Sequence, residues 1–261
     1  MEEEFIMDGI VVNNIGDSII IEIHNLSEEL KEKIKEQLVE ICQGEYALVS
    51  ASKYCSFEET IKELVNYRLP SHKNKKIGAV GELLLNVMIR EFTDMRIVSP
   101  FFNMEERNVK KGFDIISVDS KGDLWIIESK AGEKGRFDSS TKKICERIGV
   151  AKRDLDKRLN GDNSQLWLNA INSVKSSLDY DSEKKSIMNI LEKTSNSSIS
   201  IDKNIVLGGT VFCLFDTVID LNKIDNLNKS ILKSNKFSKI RLIAIQKETF
   251  KAVIDYLHTL V

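Results

Sequence analysis

The chain has 261 residues, 42% of them apolar and 30% charged, which suits a globular protein with a sizeable core and excludes disordered, collagen-like and coiled-coil chains. The formal net charge is only −2, but residues 1–68 carry 15 acidic and 6 basic side chains whereas residues 69–261 carry 25 and 32. A segment at −9 therefore precedes one at +7, the sign expected of a surface that meets a polyanion or, more plainly, of solvated charged helices. No apolar run approaches the ~20 residues of a membrane helix. The acidic start Glu2-Glu3-Glu4 is unlike a basic leader, and Cys42, Cys55, Cys145 and Cys213 show no CxxC spacing, so a cytoplasmic, reducing location is expected.

In chain order, residues 10–13 and 18–24 read as short strands, followed by a helix over 27–42 with Ser27 as N-cap and Leu30, Ile34, Leu38 and Ile41 at helical spacing. The polar stretch 67–76, with Pro70 and the reversal of charge, marks a boundary between an acidic N-terminal segment, 1–70, and a second domain, 71–261. An apolar helix over 77–92 comes next. Runs 112–118 and 124–130 flank the turn-rich Asp119-Ser120-Lys121-Gly122-Asp123 and predict a β-hairpin. A basic helix over 140–159, a helical region over 165–191, a polar loop over 194–204, strands 205–215 and 240–246 and a terminal helix ending at Leu260 complete an α/β pattern without internal repeats.

Three acids and one lysine stand where charge is expensive. Glu82 lies along a helix stripe shared with Gly78, Ala79, Leu85, Asn86 and Ile89. If the hairpin pairs about Lys121, opposed residues have numbers that sum to 242, and Asp114 falls opposite Glu128. Alternation puts Glu128 and Lys130 on one face and Trp125 and Ile127 on the other. Two facing carboxylates repel unless a cation lies between them, and hard oxygens suit Mg²⁺ or Mn²⁺. Asp114 and Glu128 are therefore candidate ligands. The Ser129 carbonyl is a further one, and Glu82 would join directly or through a water. Lys130 would orient or deprotonate the attacking water and offset charge on a phosphate. A purely structural salt-bridge cluster is the competing reading. Glu-x-Lys also occurs at Glu29–Lys31 and Glu183–Lys185, but only the copy at Glu128 ends an apolar strand.

This order of helix Glu, strand Asp and strand Glu-x-Lys resembles the PD-(D/E)xK nuclease superfamily over about residues 77–160, with Phe113 where the name-giving proline would stand. More narrowly, Gly81-Glu82-Leu83-Leu84-Leu85, Gly112-Phe113-Asp114 and Leu124-Trp125-Ile126-Ile127-Glu128-Ser129-Lys130 resemble the HamA nuclease family of the bacterial Hachiman anti-phage system. The resemblance implies a restriction-endonuclease-like core, a central mixed β-sheet flanked by helices, carrying a small N-terminal α+β segment. It implies a metal-dependent DNA endonuclease with Asp114, Glu128, Lys130 and Glu82 as catalytic residues, working with a HamB-like helicase. The alternative is a catalytically silent nuclease-like module that binds DNA or the helicase. No GxxxxGK[ST] occurs, so ATP-driven steps fall to the partner. The acidic first segment would dock that partner or act as a lid that repels DNA.

Ten basic residues against five acidic ones between Lys130 and Arg158 suggest phosphate contacts, with Lys142, Lys143 and Arg147 sharing a helix face and Lys110 and Lys111 as a second pair. HExxH, GxSxG and GxGxxG are all missing.

Overall fold

The computed structural model describes residues 5–102, 112–136, 138–161, 164–179, 182–196, 199–214, 218–248 and 250–261. Among them, eight strands form one mixed sheet in the order β1-β2-β3-β8-β7-β6-β5-β4. The strands are β1 (Phe5–Met7), β2 (Ile10–Ile15), β3 (Ser18–Ile23), β4 (Arg96–Ile97), β5 (Ile115–Val118), β6 (Leu124–Glu133), β7 (Asn204–Phe212) and β8 (Lys239–Lys247). The four central strands β3, β8, β7 and β6 run parallel, and antiparallel pairs flank them on both sides. Parallel strands are covered on both faces, which is why 205–212 and 240–245 read as nearly unbroken apolar runs.

Nine α-helices occur among the described residues: α1 (Glu28–Gln43), α2 (Tyr46–Val49), α3 (Phe57–Glu63), α4 (Lys73–Phe92), α5 (Ser140–Leu159), α6 (Ser164–Ser177), α7 (Ser182–Ser195), α8 (Leu221–Lys233) and α9 (Phe250–Thr259). Helices α1, α4 and α9 pack on one face of the sheet against Trp125, Ile127, Val206, Ile243 and Ile245. Helices α5, α6, α7 and α8 cover the other face, against Leu124, Ile126, Leu207, Leu242 and Ala244. The mixed sheet between two helical layers is the α/β, nuclease-like architecture expected from the sequence.

Several boundaries follow from local chemistry. The Ser27 side chain accepts a hydrogen bond from the Leu30 amide at 3.2 Å and caps α1 as predicted. Helix α5 spans the predicted 140–159, with the Ser139 hydroxyl capping Lys142 N. Helix α4 starts at Lys73 and not at 77, because its first turn is polar and gives no apolar signal. The single helical region over 165–191 is two helices, and Thr194 and Ser195, placed in a loop from sequence, form the last turn of the second. Helix α8 has no counterpart in the sequence reading, although Asp220 caps it and Ile224 and Ile231 are buried at helical spacing. A single π-helical turn, Leu64–Arg68, and then Pro70 break the chain before α4. Sheet and core continue across that break: β1 to β3 extend the same sheet, and Leu30, Ile34 and Leu38 of α1 share a core with Leu84 and Met88 of α4.

Candidate active site

The β5–β6 turn sets the geometry of the site. Asp119 Oδ1 accepts hydrogen bonds from the amides of Lys121 (3.0 Å) and Asp123 (2.9 Å), and Oδ2 accepts one from Trp125 Nε1 at 2.9 Å. Gly122 takes φ +82°, which a side chain would disfavour. The turn locks the register Val118↔Leu124, Ser117↔Trp125, Ile116↔Ile126 and Ile115↔Ile127, the pairing that the sequence predicts. The paired ladder ends at Ile115↔Ile127, and the next residues in each direction are Asp114 and Glu128. Burial works against ionisation of Asp119, but the hydrogen bonds from Trp125, Asp123 and Lys121 hold its carboxyl below the ordinary range.

Two close approaches deliver the acids. A Cβ on Gly112 would lie 2.8 Å from the Leu166 carbonyl oxygen and 3.0 Å from the Ala170 nitrogen, so this glycine lets the chain entering β5 lie against α6. Phe113 then stacks edge-on against Trp167, with ring centroids 4.9 Å apart. Asp114 follows, half-buried, and its Oδ2 accepts a hydrogen bond from the Ser129 amide at 2.9 Å. Because the N–H and C=O of one strand residue point to the same edge, the Ser129 carbonyl faces the Asp114 side as well.

Glu128 is 1% exposed and shares its sheet face with Lys130, as alternation requires. Its Oε1 meets the Lys130 ammonium and its Oε2 meets the guanidinium of Arg158 on α5. Lys130 Nζ also stands 3.5 Å from Asp154 Oδ2, and Arg158 Nη1 donates to the Gly112 carbonyl at 3.0 Å. Burial pulls the Arg158 guanidinium below its ordinary value, and the charge of Asp114 opposes that pull. Four charged groups, Asp114, Lys130, Asp154 and Arg158, thus lie around one buried carboxylate.

Glu82 arrives from the other side of the sheet. Helix α4 lies close over β6 because residue 81 is glycine: a Cβ there would come within 2.5 Å of the Ala131 Cβ. Glu82 itself is half-buried. Among the described residues no three His, Cys, Asp or Glu side chains stand close enough to hold a metal ion. The structure therefore brings together Asp114, Glu128, Ser129 and Lys130 but does not add Glu82 to a three-acid group. A divalent ion suits the donors that do meet, two carboxylates and one backbone carbonyl, all hard oxygens.

The basic residues are arranged differently from the shared face expected. Lys143 and Arg147 lie across Gly132 of β6 and both pair with Glu146, with their side chains 17% and 24% exposed. Lys142 points to solvent, 76% exposed, beside Asp138. Lys110 and Lys111 lie outside the described residues. Arg158 and Asp154 are the members of the cluster that sequence reasoning missed. Their signal is the four-residue spacing beside the buried stripe Ile144, Ile148, Ala151, Leu155 and Leu159, which turns both toward β6.

A model of the HamA family matches residues 12–261, nearly the whole chain. The chain belongs to the HamA family. No curated protein matches it. HamA membership associates the chain with Hachiman anti-phage defence, and the family resemblance seen in the short blocks around Glu82, Asp114 and Glu128 extends to almost the full length. No helix among the described residues of this HamA chain is long and apolar enough to cross a membrane.

Proposed function

We propose that this HamA chain is a metal-dependent DNA endonuclease, the effector of a cytoplasmic defence system that acts with a HamB-like helicase. The observation that carries this reading is the Asp114 carboxylate bonded to the Ser129 amide, between the buried Glu128 and Lys130 of the same strand. Asp114, Glu128 and the Ser129 carbonyl would hold Mg²⁺ or Mn²⁺. When bound, such an ion polarises a phosphodiester and supplies an activated water. Lys130 orients or deprotonates the attacking water and offsets negative charge as it builds on the phosphate. Glu82 acts from outside that pair. Lys142, with Lys143 and Arg147 beside it, contributes phosphate contacts that carry no sequence information, and Lys110 and Lys111 extend them. The acidic residues 1–70 serve as the docking surface for the helicase or as a lid over the DNA path.

One observation favours a second reading, a catalytically silent module that binds DNA or the helicase: Glu128 is already neutralised by Lys130 and Arg158. Cleavage separates the two. The purified chain, alone and with the helicase and ATP, is incubated with plasmid, linear and single-stranded DNA in Mg²⁺ or EDTA. The nuclease reading expects cleavage that requires metal and that Asp114→Asn abolishes while the variant still melts cooperatively. Equal cleavage in EDTA, or by Asp114→Asn, would overturn it.

A further inference from the structure

Both oxygens of the Glu128 carboxylate are engaged by protein cations, one from its own strand and one from α5. Lys130 sits two residues away on β6, and the sheet fixes its backbone relative to that of Glu128. Arg158 reaches in from a separate helix, and its side chain has a solvent side, 29% exposed against 27% for Lys130, so what sets it apart is the helix that carries it. Its Nη1 remains tied to the Gly112 carbonyl at the entrance to β5, at 3.0 Å. Charge balance calls for one of the two cations to leave, and the separate helix makes Arg158 the one that can. Asp114, Glu128, Asp154, Lys130 and Arg158 together carry one net negative charge. A divalent cation added with Arg158 in place leaves the cluster at +1. With the guanidinium withdrawn, the cation and the remaining four groups sum to zero.

We propose that Arg158 is the resident counter-ion of the metal site: in the metal-free protein its guanidinium holds the Glu128 carboxylate in position, and a divalent cation binds by displacing it. This rests on the reading of Asp114 and Glu128 as metal ligands. Arg158 is on this account a positioning residue. It keeps a buried carboxylate paired and oriented before the cation arrives, where an unpaired charge would be costly. It also lowers the apparent affinity for the cation, because only the fraction of molecules with the guanidinium withdrawn is competent to bind.

The test uses the full chain and Mn²⁺ alone as probe, with free Mn²⁺ followed by electron paramagnetic resonance and folding followed by circular dichroism. Arg158→Gln is expected to bind Mn²⁺ roughly ten-fold more tightly than wild type, the size of one displaced ion pair of moderate strength. Without metal it melts at a lower temperature, and Mn²⁺ restores the difference. Arg158→Lys, which keeps the charge, stays close to wild type in affinity. Arg153→Gln, which removes an exposed charge from the same helix, shifts the affinity less than about two-fold because solvent and salt screen it. Folded Arg158→Gln with wild-type or weaker affinity would overturn the exchange, as would an equal gain in Arg153→Gln. A different result marks failure of the underlying site: Mn²⁺ binding that is missing in wild type, or that Glu128→Gln leaves unchanged, removes the metal reading itself.

Discussion

At the scale of single residues, Asp119 governs where Glu128 ends up, although it takes no part in the proposed chemistry. Three donors converge on its carboxylate and hold it below the ordinary carboxyl range despite burial. A group whose folded value is depressed stabilises the fold fully above its unfolded value, about 3.9, and loses that contribution as the pH falls through the folded value. Asp119→Ala should therefore cost about 1–3 kcal/mol at pH 7, the order expected for stranded donors, in urea unfolding. The gap to wild type should narrow only as the pH falls below the unfolded value and through the depressed folded one, where the wild-type carboxylate is itself protonated. A gap independent of pH would contradict the assignment. Among the site residues, Asp114, Glu128 and Lys130 were legible because a charge at the end of an apolar strand has few structural excuses. Arg158 was not, because it is one of ten basic residues in its stretch and only the packing of α5 on β6 singles it out.

At the scale of elements, the approach of α4 to β6 depends on Gly81, whose added Cβ would lie 2.5 Å from the Ala131 Cβ. Gly78, one turn earlier on the same helix, has nothing within 4 Å of its added Cβ. Gly81→Ala should destabilise the protein by about 1–3 kcal/mol through overpacking. Gly78→Ala should be neutral or stabilising by up to about 1 kcal/mol, the gain in helix propensity. Denaturant titrations of the pair check this, and equal effects would place the contact elsewhere. Elements with a strong apolar period and a cap were legible, as with α1 and its Ser27 or α5 with its isoleucines. Helix α8 was obscured by Asn222, Asn226 and Asn228, poor helix formers, and it holds its helical form by burying Ile224 and Ile231 against the sheet. The start of α4 was hidden for the opposite reason: Lys73 to Lys76 form helix readily but carry no hydrophobic periodicity.

At the scale of the whole molecule, a single sheet joins the acidic first segment to the basic remainder, so the charge asymmetry is carried by one continuous framework. What sequence alone could not supply was the three-dimensional company of Glu128: a helix twenty residues long places its last two turns, bearing Asp154 and Arg158, over the motif strand. In the proposed account that framework presents a two-carboxylate metal site to DNA while leaving its acidic face for a helicase. In this scheme Lys130 serves phosphodiester cleavage and is more than a partner for Glu128. Plasmid cleavage in Mg²⁺ by Lys130→Ala beside wild type, in the presence of the helicase and ATP, tests it most directly. The expected result is a loss of about 10²–10³-fold in rate with cooperative melting retained, the order found when one charge-stabilising group is removed from an active site. Cleavage by Lys130→Ala at the wild-type rate would contradict it.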